Sequence, residues 1–298
     1  MTTQNNYPLQ GKIALVAGAT RGAGRGMAVE LGGAGATVYC TGRTSRSGHQ
    51  GMAGRLETIE ETAEMATVGC GRGIPVRCDH TDITQVQALF EQVKQEHGHL
   101  DILINDVWGG DVLTEWGTPF WELDMSKGLT MLERAIHSHI ITSRYGVPLM
   151  LERDQGLIVE ITDGDTLNYR GNLFYDLVKT SVIRLALGMA EELKGRNITA
   201  LALTPGFLRS EEMLDHFGVT EANWRDGVKK DPHFIASETP TYIGRAVAAL
   251  ARDPLVSRFA GQSLATWTLM HEYRFTDADG SQPDWGTYFE TVVKPTLP

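Results

Sequence analysis

The chain has 298 residues, of which 42% are hydrophobic and 21% are charged, an ordinary composition for a globular protein with a substantial core. Its net charge of −10 argues against nucleic acid or an anionic membrane surface as the main partner. No apolar run approaches the roughly 20 residues of a membrane-spanning helix, and the first residues lack signal-peptide features. Three cysteines without close pairing fit a reducing compartment, so we expect a cytoplasmic protein.

A short apolar run and a glycine-rich turn come first. Residues 12–17 predict a buried parallel strand, and the glycines after it precede a helical pattern. This order favours a dinucleotide site, because glycines let the backbone approach a pyrophosphate and a helix N-terminus offers free N–H groups. A purely structural turn is the alternative interpretation. The loop residues that we expect to contact the cofactor are Gly18, Thr20, Arg21, Gly22, Ala23 and Gly24.

The second predicted strand, residues 36–43, ends without an acidic residue. In proteins that bind NAD an acid often closes this strand and holds the ribose 2′-hydroxyl. Here Arg43 stands at that place, and Arg21 lies in the glycine loop. Two guanidinium groups suit a 2′-phosphate, so the sequence favours NADP(H) over NAD(H) as the cofactor. The alternative is that both arginines are solvated surface residues.

Strands continue to alternate with helical patterns as far as residue 265. The remaining predicted strands are residues 74–79, 100–105, 156–162, 197–203 and a short one around 262–265. This alternation predicts an α/β fold of the Rossmann type, a doubly wound parallel sheet of about seven strands with helices on both faces. We expect one domain over residues 1–298, with a mobile substrate-loop insertion at about 207–240 and a C-terminal extension at about 267–298.

Polar residues stand at the end of the third strand, where ligands of open α/β sheets bind. Asp79, with His80 beside it, is therefore expected near the adenine of a cofactor. The alternative for Asp79 is the N-cap of the helix that follows. His137 and His139 are two residues apart and do not share a helix face, so we expect no metal site from them.

Tyr175 and Lys179 are four residues apart in a stretch with helical apolar spacing. They would therefore lie on the same helix face, one turn from each other. A nearby cation favours a phenolate and lowers the pKa of the phenol toward the range that suits acid–base catalysis. The alternative is a surface tyrosine with a solvated lysine.

Together these motifs resemble those of the short-chain dehydrogenase/reductase family, and some further stretches are similar to one carbonyl-reducing branch of it. The motifs in the family's order are the loop from Gly11 to Gly24, Asp79, the strand ending at Asn105, Tyr175-x-x-x-Lys179 and Pro205-Gly206. The resemblance implies that Tyr175 is the general acid and base and that Lys179 lowers its pKa and binds the nicotinamide ribose. Both residues are therefore also expected to bind the cofactor. The resemblance also implies that Asn105 lies near that ribose and that Thr204, with Pro205 and Gly206, flanks the nicotinamide.

The chain departs from the family pattern beside the tyrosine. The family serine that binds the substrate oxygen is not a serine here. Thr162 has the family spacing to Tyr175 and a hydroxyl, while Asp163 takes the place if the loop is one residue shorter. A hydroxyl donates to a developing oxyanion, whereas an ionised Asp only accepts. The family's helix asparagine is also missing, since Ala135 falls near its position.

The sequence thus predicts an NADP(H)-dependent oxidoreductase that acts on a small-molecule carbonyl or alcohol. The alternative is an NADP-binding regulatory or scaffold protein with an impaired site, because two catalytic partners of the family are altered. The resemblance also implies a homodimer or homotetramer. Residues 106–127, 163–174 and 207–240 are expected to form the substrate pocket.

Overall fold

Seven parallel strands form one sheet, in the order β3-β2-β1-β4-β5-β6-β7. The computed structural model describes residues 7–48 and 55–296. This sheet confirms the predicted doubly wound fold, and each strand boundary lies within two residues of the expected one. The strands are β1 (Ile13–Ala17), β2 (Thr37–Gly42), β3 (Arg72–Arg77), β4 (Ile102–Asn105), β5 (Gly156–Ile161), β6 (Ile198–Thr204) and β7 (Ser263–Ala265).

Helices cover both faces of the sheet. Along β1, Ala14 and Val16 pack against one helix layer, whereas Ile13, Leu15 and Ala17 pack against the other. This alternation follows from the period of two in a strand, so a strand buried on both faces is apolar throughout. The helices are α1 (Gly22–Gly33), α2 (Ile59–Ala66), α3 (Ile83–His97), α4 (Met125–Leu132), α5 (Ser138–Leu151), α6 (Leu173–Glu192), α7 (Glu211–Phe217), α8 (Pro240–Arg252), α9 (Thr266–Tyr273) and α10 (Trp285–Tyr288).

The strand order reverses beside β1, since β2 lies on one side of it and β4 on the other. Ligands of doubly wound sheets bind in the crevice at this reversal, at the carboxyl ends of the strands. The loops after β1, β4 and β5 all end at that edge. The fold therefore places the glycine loop, residues 106–124 and residues 162–172 next to one another.

The long helix expected between β4 and β5 is interrupted. A π-helical turn, Glu133–His137, joins α4 to α5. Such turns widen a helix locally and are frequent at functional sites. This one lies directly before His139, which is 2% exposed and faces the sheet.

The stretch from 207 to 240, expected to be a mobile insertion, has regular structure and a core of its own. It contains α7 and two short 3₁₀ turns, and Phe217, Trp224 and Phe234 form a buried cluster. Arg209 is also buried, and its guanidinium lies 4.0 Å from the Trp224 ring centre. These aromatic residues are scattered along a polar sequence, so only tertiary packing reveals that they meet.

The C-terminal extension folds back onto the same region. The Asp277 carboxylate accepts a hydrogen bond from the Thr239 N–H at 2.8 Å, just before α8 begins. The Trp285 ring packs edge-on against Phe207, with 5.7 Å between ring centres. The extension therefore closes one side of the insertion.

Candidate active site

The glycine loop is packed so tightly that two positions exclude any side chain. Gly18 has a φ of +95°, and a Cβ there would lie 2.4 Å from the backbone oxygen of Asp106. A Cβ on Gly24 would lie 2.2 Å from the backbone oxygen of Gly18. The loop therefore presents bare backbone at the start of α1, which suits a phosphate group.

A carboxylate lies at this helix N-terminus. The Gly22 N–H donates to Oε2 of Glu211, the first residue of α7, at 2.8 Å. Arg25 lies 3.8 Å from the other oxygen of the same carboxylate. Because carboxylates and phosphates both bind helix N-termini, the contact supports an anion site here. Sequence reasoning missed Glu211, which is 189 residues from Gly22 along the chain.

The other predicted loop residues have different surroundings. Thr20 and Ala23 are buried, and the Thr20 carbonyl accepts two hydrogen bonds from the Arg25 guanidinium, at 3.2 and 2.9 Å. Arg21 is extended and directly precedes α1. Arg25 thus holds the loop backbone by hydrogen bonds, whereas Arg21 lies at the edge of the loop, near α7.

The end of β2 offers a cation and a hydroxyl. Arg43 directly follows the strand, and its guanidinium is 3.9 Å from the Asp79 carboxylate beyond β3. Ser45 is 5% exposed, yet its hydroxyl makes no hydrogen bond to any described residue. A buried hydroxyl normally has a partner. Dinucleotide folds hold the adenosine ribose at this place, so both groups suit a ribose phosphate.

Asp79 is not the N-cap of α3. Asp82 is, since its carboxylate accepts hydrogen bonds from two backbone N–H groups of the first turn. The capping alternative for Asp79 is therefore wrong. Burial tends to raise the pKa of Asp79, but hydrogen bonds from Thr81 and the charge of Arg43 hold it below its ordinary value. Asp79 remains an anion beside Arg43, at the edge where we predicted an adenine contact.

His80 is turned into the interior. Its ring nitrogens lie 2.8 Å from the hydroxyls of Thr41 and Thr142, and it is 2% exposed. Burial lowers the pKa of His80 to about 4, and the charge of His139 adds to the shift. The side chain is thus a neutral brace between β2 and α5, so the predicted cofactor contact of His80 falls to its backbone.

Tyr175 and Lys179 lie one turn apart on α6. Asn172 caps this helix by accepting hydrogen bonds from two backbone N–H groups, including that of Tyr175 at 3.1 Å. Asn172 also donates to the Glu115 carbonyl at 3.0 Å, which ties the loop after β4 to the helix. The Lys179 ammonium is 5.5 Å from the centre of the Tyr175 ring. The cap therefore sets the position of the tyrosine, and the lysine follows on the same face.

The residue that faces the Tyr175 hydroxyl is Asp163. Tyr175 Oη donates to Asp163 Oδ2 at 2.7 Å. Thr162 is 2% exposed and donates its hydroxyl to the Lys179 backbone oxygen at 2.8 Å. Of the two alternatives, Asp163 and not Thr162 therefore faces the Tyr175 hydroxyl. The third partner in this site is a carboxylate.

Burial and negative charge set the acidity of the pair. Burial raises the pKa of Tyr175 well above its ordinary value, and the charge and hydrogen bond of Asp163 raise it further. Burial lowers the pKa of Lys179, which Asp163 and Asp106 oppose. We expected Lys179 to lower the pKa of Tyr175, but burial and Asp163 outweigh any such effect. The phenol is therefore a proton donor at neutral pH.

A buried polar network lies beneath the carboxyl ends of β4 and β5. The Glu160 carboxylate is fully buried and accepts hydrogen bonds from His139 Nδ1 and Asn105 Nδ2, both at 2.6 Å. His139 Nε2 lies 3.1 Å from the Val107 carbonyl, so both ring nitrogens face acceptors. Asn105 thus belongs to the buried network beneath the site, and its Oδ1 has no hydrogen-bond partner among the described residues. Sequence reasoning missed the pairing of His139 with Glu160.

A small cavity lies between His139 of this network and Lys179. Its volume of ≈ 10 Å³ is about the space of one water molecule. Asp106, Ala135, His139 and Lys179 line it. Burial raises the pKa of Asp106 to about 7, against the opposing charge of Lys179. Ala135 therefore leaves room at the place where the family's helix asparagine is missing.

Pro205 and Gly206 lie against the loop that carries Asp163. The Thr204 hydroxyl accepts a hydrogen bond from the Gly164 N–H at 2.8 Å and donates to the Pro205 carbonyl at 2.9 Å. A Cβ on Gly206 would lie 2.7 Å from Trp285 of the C-terminal extension. The loops after β5 and β6 therefore hold each other in place.

Comparison with known proteins decides the family. The profile of the family described as short chain dehydrogenase matches residues 12–218. Dehydrogenase/reductase SDR family member 1 of Mus musculus is 35% identical over 278 residues, which cover 92% of this chain and 85% of the mouse protein. The protein of the same name from Homo sapiens is 34% identical with the same coverage. This chain belongs to the short-chain dehydrogenase/reductase family.

Its similarity to family member 1 confirms the branch predicted from the sequence. A solved short-chain dehydrogenase/reductase variant from Serratia marcescens agrees with the fold. Its TM-score is 0.68 at 26% identity, with 87% of this chain and 97% of that chain covered. As a short-chain dehydrogenase/reductase, the protein is an oxidoreductase that uses a nicotinamide cofactor.

The residues fit such a cofactor. Bare backbone at Gly18 and Gly24 suits the pyrophosphate, and Arg43 and Ser45 suit the adenosine ribose. Within residues 7–48 and 55–296 no group of three or more His, Cys, Asp or Glu side chains is placed to hold a metal ion. In the same part of the chain, no helix is long and apolar enough to cross a membrane.

Proposed function

We propose that this protein is an NADP(H)-dependent oxidoreductase that transfers a hydride between the nicotinamide and a carbonyl or alcohol group. The observation that carries the proposal is the position of Asp106 between the two halves of the site. Its carboxyl group accepts a hydrogen bond from the Gly24 N–H and faces the Lys179 ammonium. The phosphate-binding loop and the Tyr175–Lys179 pair therefore lie on opposite sides of one residue.

Tyr175 acts in this proposal as the general acid of carbonyl reduction. Its hydroxyl is protonated and donates to Asp163, so a bound carbonyl oxygen takes over that hydrogen bond. The Lys179 ammonium stabilises the phenolate that forms when the proton leaves. The bound reduced cofactor supplies the hydride, while the protein supplies orientation and electrostatics.

Mixing purified protein with NADPH and a panel of ketones and aldehydes tests the proposal. We expect substrate-dependent loss of NADPH absorbance with at least one member of the panel. Loss of absorbance without any added carbonyl compound serves as the blank. If no member of the panel oxidises NADPH, the assignment to carbonyl chemistry fails.

Arg43→Ala is expected to weaken NADPH binding by roughly 10- to 100-fold, the effect of losing one charge-assisted hydrogen bond. NADH binding is expected to stay the same, because NADH lacks the 2′-phosphate. Calorimetric titration of both cofactors measures the two effects. Arg46→Ala is the matched control, since Arg46 is exposed and paired with Glu64. Equal loss of NADPH and NADH affinity would count against a 2′-phosphate contact.

Glu211→Gln is expected to tighten NADPH binding by roughly two- to fivefold, because it removes an anion from the α1 N-terminus. Asp226→Asn is the control, since Asp226 forms an exposed ion pair with Lys229. The same titration measures both variants. Weaker binding by Glu211→Gln alone would show that the carboxylate supports the cofactor instead of competing with it.

A second candidate function is NADP binding without catalysis, in a regulatory or scaffold protein. The observation that favours it is Asp163, a carboxylate where a hydroxyl donor would stabilise an oxyanion. Tight NADPH binding without hydride transfer to any carbonyl compound would support this function over the first.

We also propose a homodimer or homotetramer. Ile140 on α5 and Leu177 on α6 are 48% and 44% exposed, which leaves apolar surface on two long helices. Light scattering coupled to size exclusion gives the mass in solution. A monomer at micromolar concentration would contradict this proposal.

A further inference from the structure

Carboxylates lie close to the reacting end of Tyr175. Asp163 touches its hydroxyl, and Asp111 adds negative charge to both Tyr175 and Lys179. Lys179 therefore faces Asp163, Asp106 and Asp111 with a single positive charge.

The other cation on this side is Arg170, whose charge reaches both Tyr175 and Lys179. Its guanidinium donates to the Asp163 carbonyl of the same loop at 2.5 Å and pairs with Asp176 of α6 at 3.2 Å. Glu212 is hydrogen-bonded to Asp111, and burial together with the Asp111 charge raises the pKa of Glu212. Arg55 and Arg21 oppose that shift, so their charges act on Glu212.

Aromatic rings pack against the Tyr175 ring. Trp108 packs edge-on against Tyr175 with 5.4 Å between ring centres, and Trp116 lies at 5.1 Å and is 59% exposed. The Trp108 N–H donates to Asp111 at 2.7 Å, which holds that carboxylate beside the ring. The Lys179 ammonium lies 4.3 Å from the Trp108 ring centre. Rings with nearby carboxylates are an environment that binds ammonium groups, as Lys179 itself illustrates.

A reacting oxygen must come within hydrogen-bond distance of Tyr175 Oη, and there it meets Asp163. A neutral ketone offers that carboxylate no donor and gains negative charge on its oxygen during reduction. We propose that the substrate carries a protonated amino group next to the carbonyl or alcohol carbon. The substrate's ammonium donates to Asp163 and to the reacting oxygen, and so replaces the missing hydroxyl. This inference rests on the proposed carbonyl–alcohol chemistry.

The reaction balances without any further reactant. In reduction, the carbonyl carbon gains a hydride, which the bound reduced cofactor would supply, and the C=O electron pair moves to the oxygen. That oxygen takes the phenolic proton of Tyr175, and the phenolate regains a proton from water. The ammonium group is unchanged and only stabilises the oxygen as its charge develops.

Binding and turnover of matched compounds test the inference. Calorimetry compares 2-phenylethylamine with 2-phenylethanol, which lacks the charge, on the protein with and without NADP⁺. NADPH oxidation compares α-aminoacetophenone with propiophenone, which has a methyl group in place of the ammonium. We expect the charged member of each pair to be favoured by roughly tenfold or more in Kd and in kcat/KM.

Asp163→Asn and Asp163→Ser test the residue. Both remove the charge, and the serine also restores a hydroxyl donor, so we expect both to lose the preference for the amine and Asp163→Ser to gain activity on propiophenone. Thermal unfolding of each variant checks that the fold is retained. If the unaltered protein reduces propiophenone as well as the amino ketone, the inference fails while the proposed function stands. If it reduces neither ketone nor any other carbonyl compound, the proposed function itself fails.

Discussion

Replacing Tyr175 with phenylalanine is expected to lower kcat for carbonyl reduction by roughly 10²- to 10⁴-fold, the usual contribution of a general acid. The ring still packs between Trp108 and Trp116, so the site keeps its shape. The variant loses only the proton donor that faces Asp163. Steady-state kinetics on the best substrate of the ketone panel measures the loss.

The variant should still bind its cofactor, because the change removes only the hydroxyl and leaves the glycine loop and Lys179 in place. We expect its Kd for NADPH to stay within about twofold of the original, by calorimetric titration. Tyr169→Phe is the matched control, since Tyr169 lies in the loop before α6 and is 66% exposed. Turnover that survives in Tyr175→Phe would remove Tyr175 from its proposed role.

Glu160→Leu is expected to lower the free energy of unfolding by about 2–4 kcal/mol, because two buried donors lose their acceptor. The substitution removes the hydrogen-bond acceptor of His139 Nδ1 and Asn105 Nδ2, and both side chains are buried. Urea unfolding followed by circular dichroism gives the change. A loss below about 1 kcal/mol would mean that water or a rearrangement satisfies these donors.

Two further variants separate the buried pair from its surroundings. The double variant Glu160→Leu/His139→Leu is expected to be less destabilised than the sum of the single changes, because neither partner is left uncompensated. Glu191→Leu is the surface comparison, since Glu191 and Lys194 form an exposed ion pair. Its effect is expected to be at most about 1 kcal/mol.

The fold was predictable because its signals are local. Each buried strand is a short apolar run, and each is followed by a helical pattern, which in a parallel sheet leaves few topologies open. The structure confirmed the seven strands in this way. The ordered structure of residues 207–240 was not predictable from the sequence. Its core is formed by Phe217, Trp224 and Phe234, and the spacing of these residues matches neither a helix nor a strand.

The site was predictable where one element carries several of its groups. The glycine loop and the Tyr175–Lys179 pair each lie on one turn or one helix, so spacing fixes their geometry. The choice between Thr162 and Asp163 was not predictable. It depends on the path of a loop between two elements, and a shift of one residue there changes which side chain faces Tyr175.

The sequence by itself determined the parallel sheet, the family, and the positions of Tyr175 and Lys179, because periodicity and short motifs report on neighbours along the chain. Only the tertiary structure decided that Asp163 is the third partner and that Glu160 holds His139. It also brought Glu211 onto the phosphate-binding loop. Each of these three contacts joins two different elements. Burial and the paths of the loops determine them, and the spacing of residues in the sequence does not report on either.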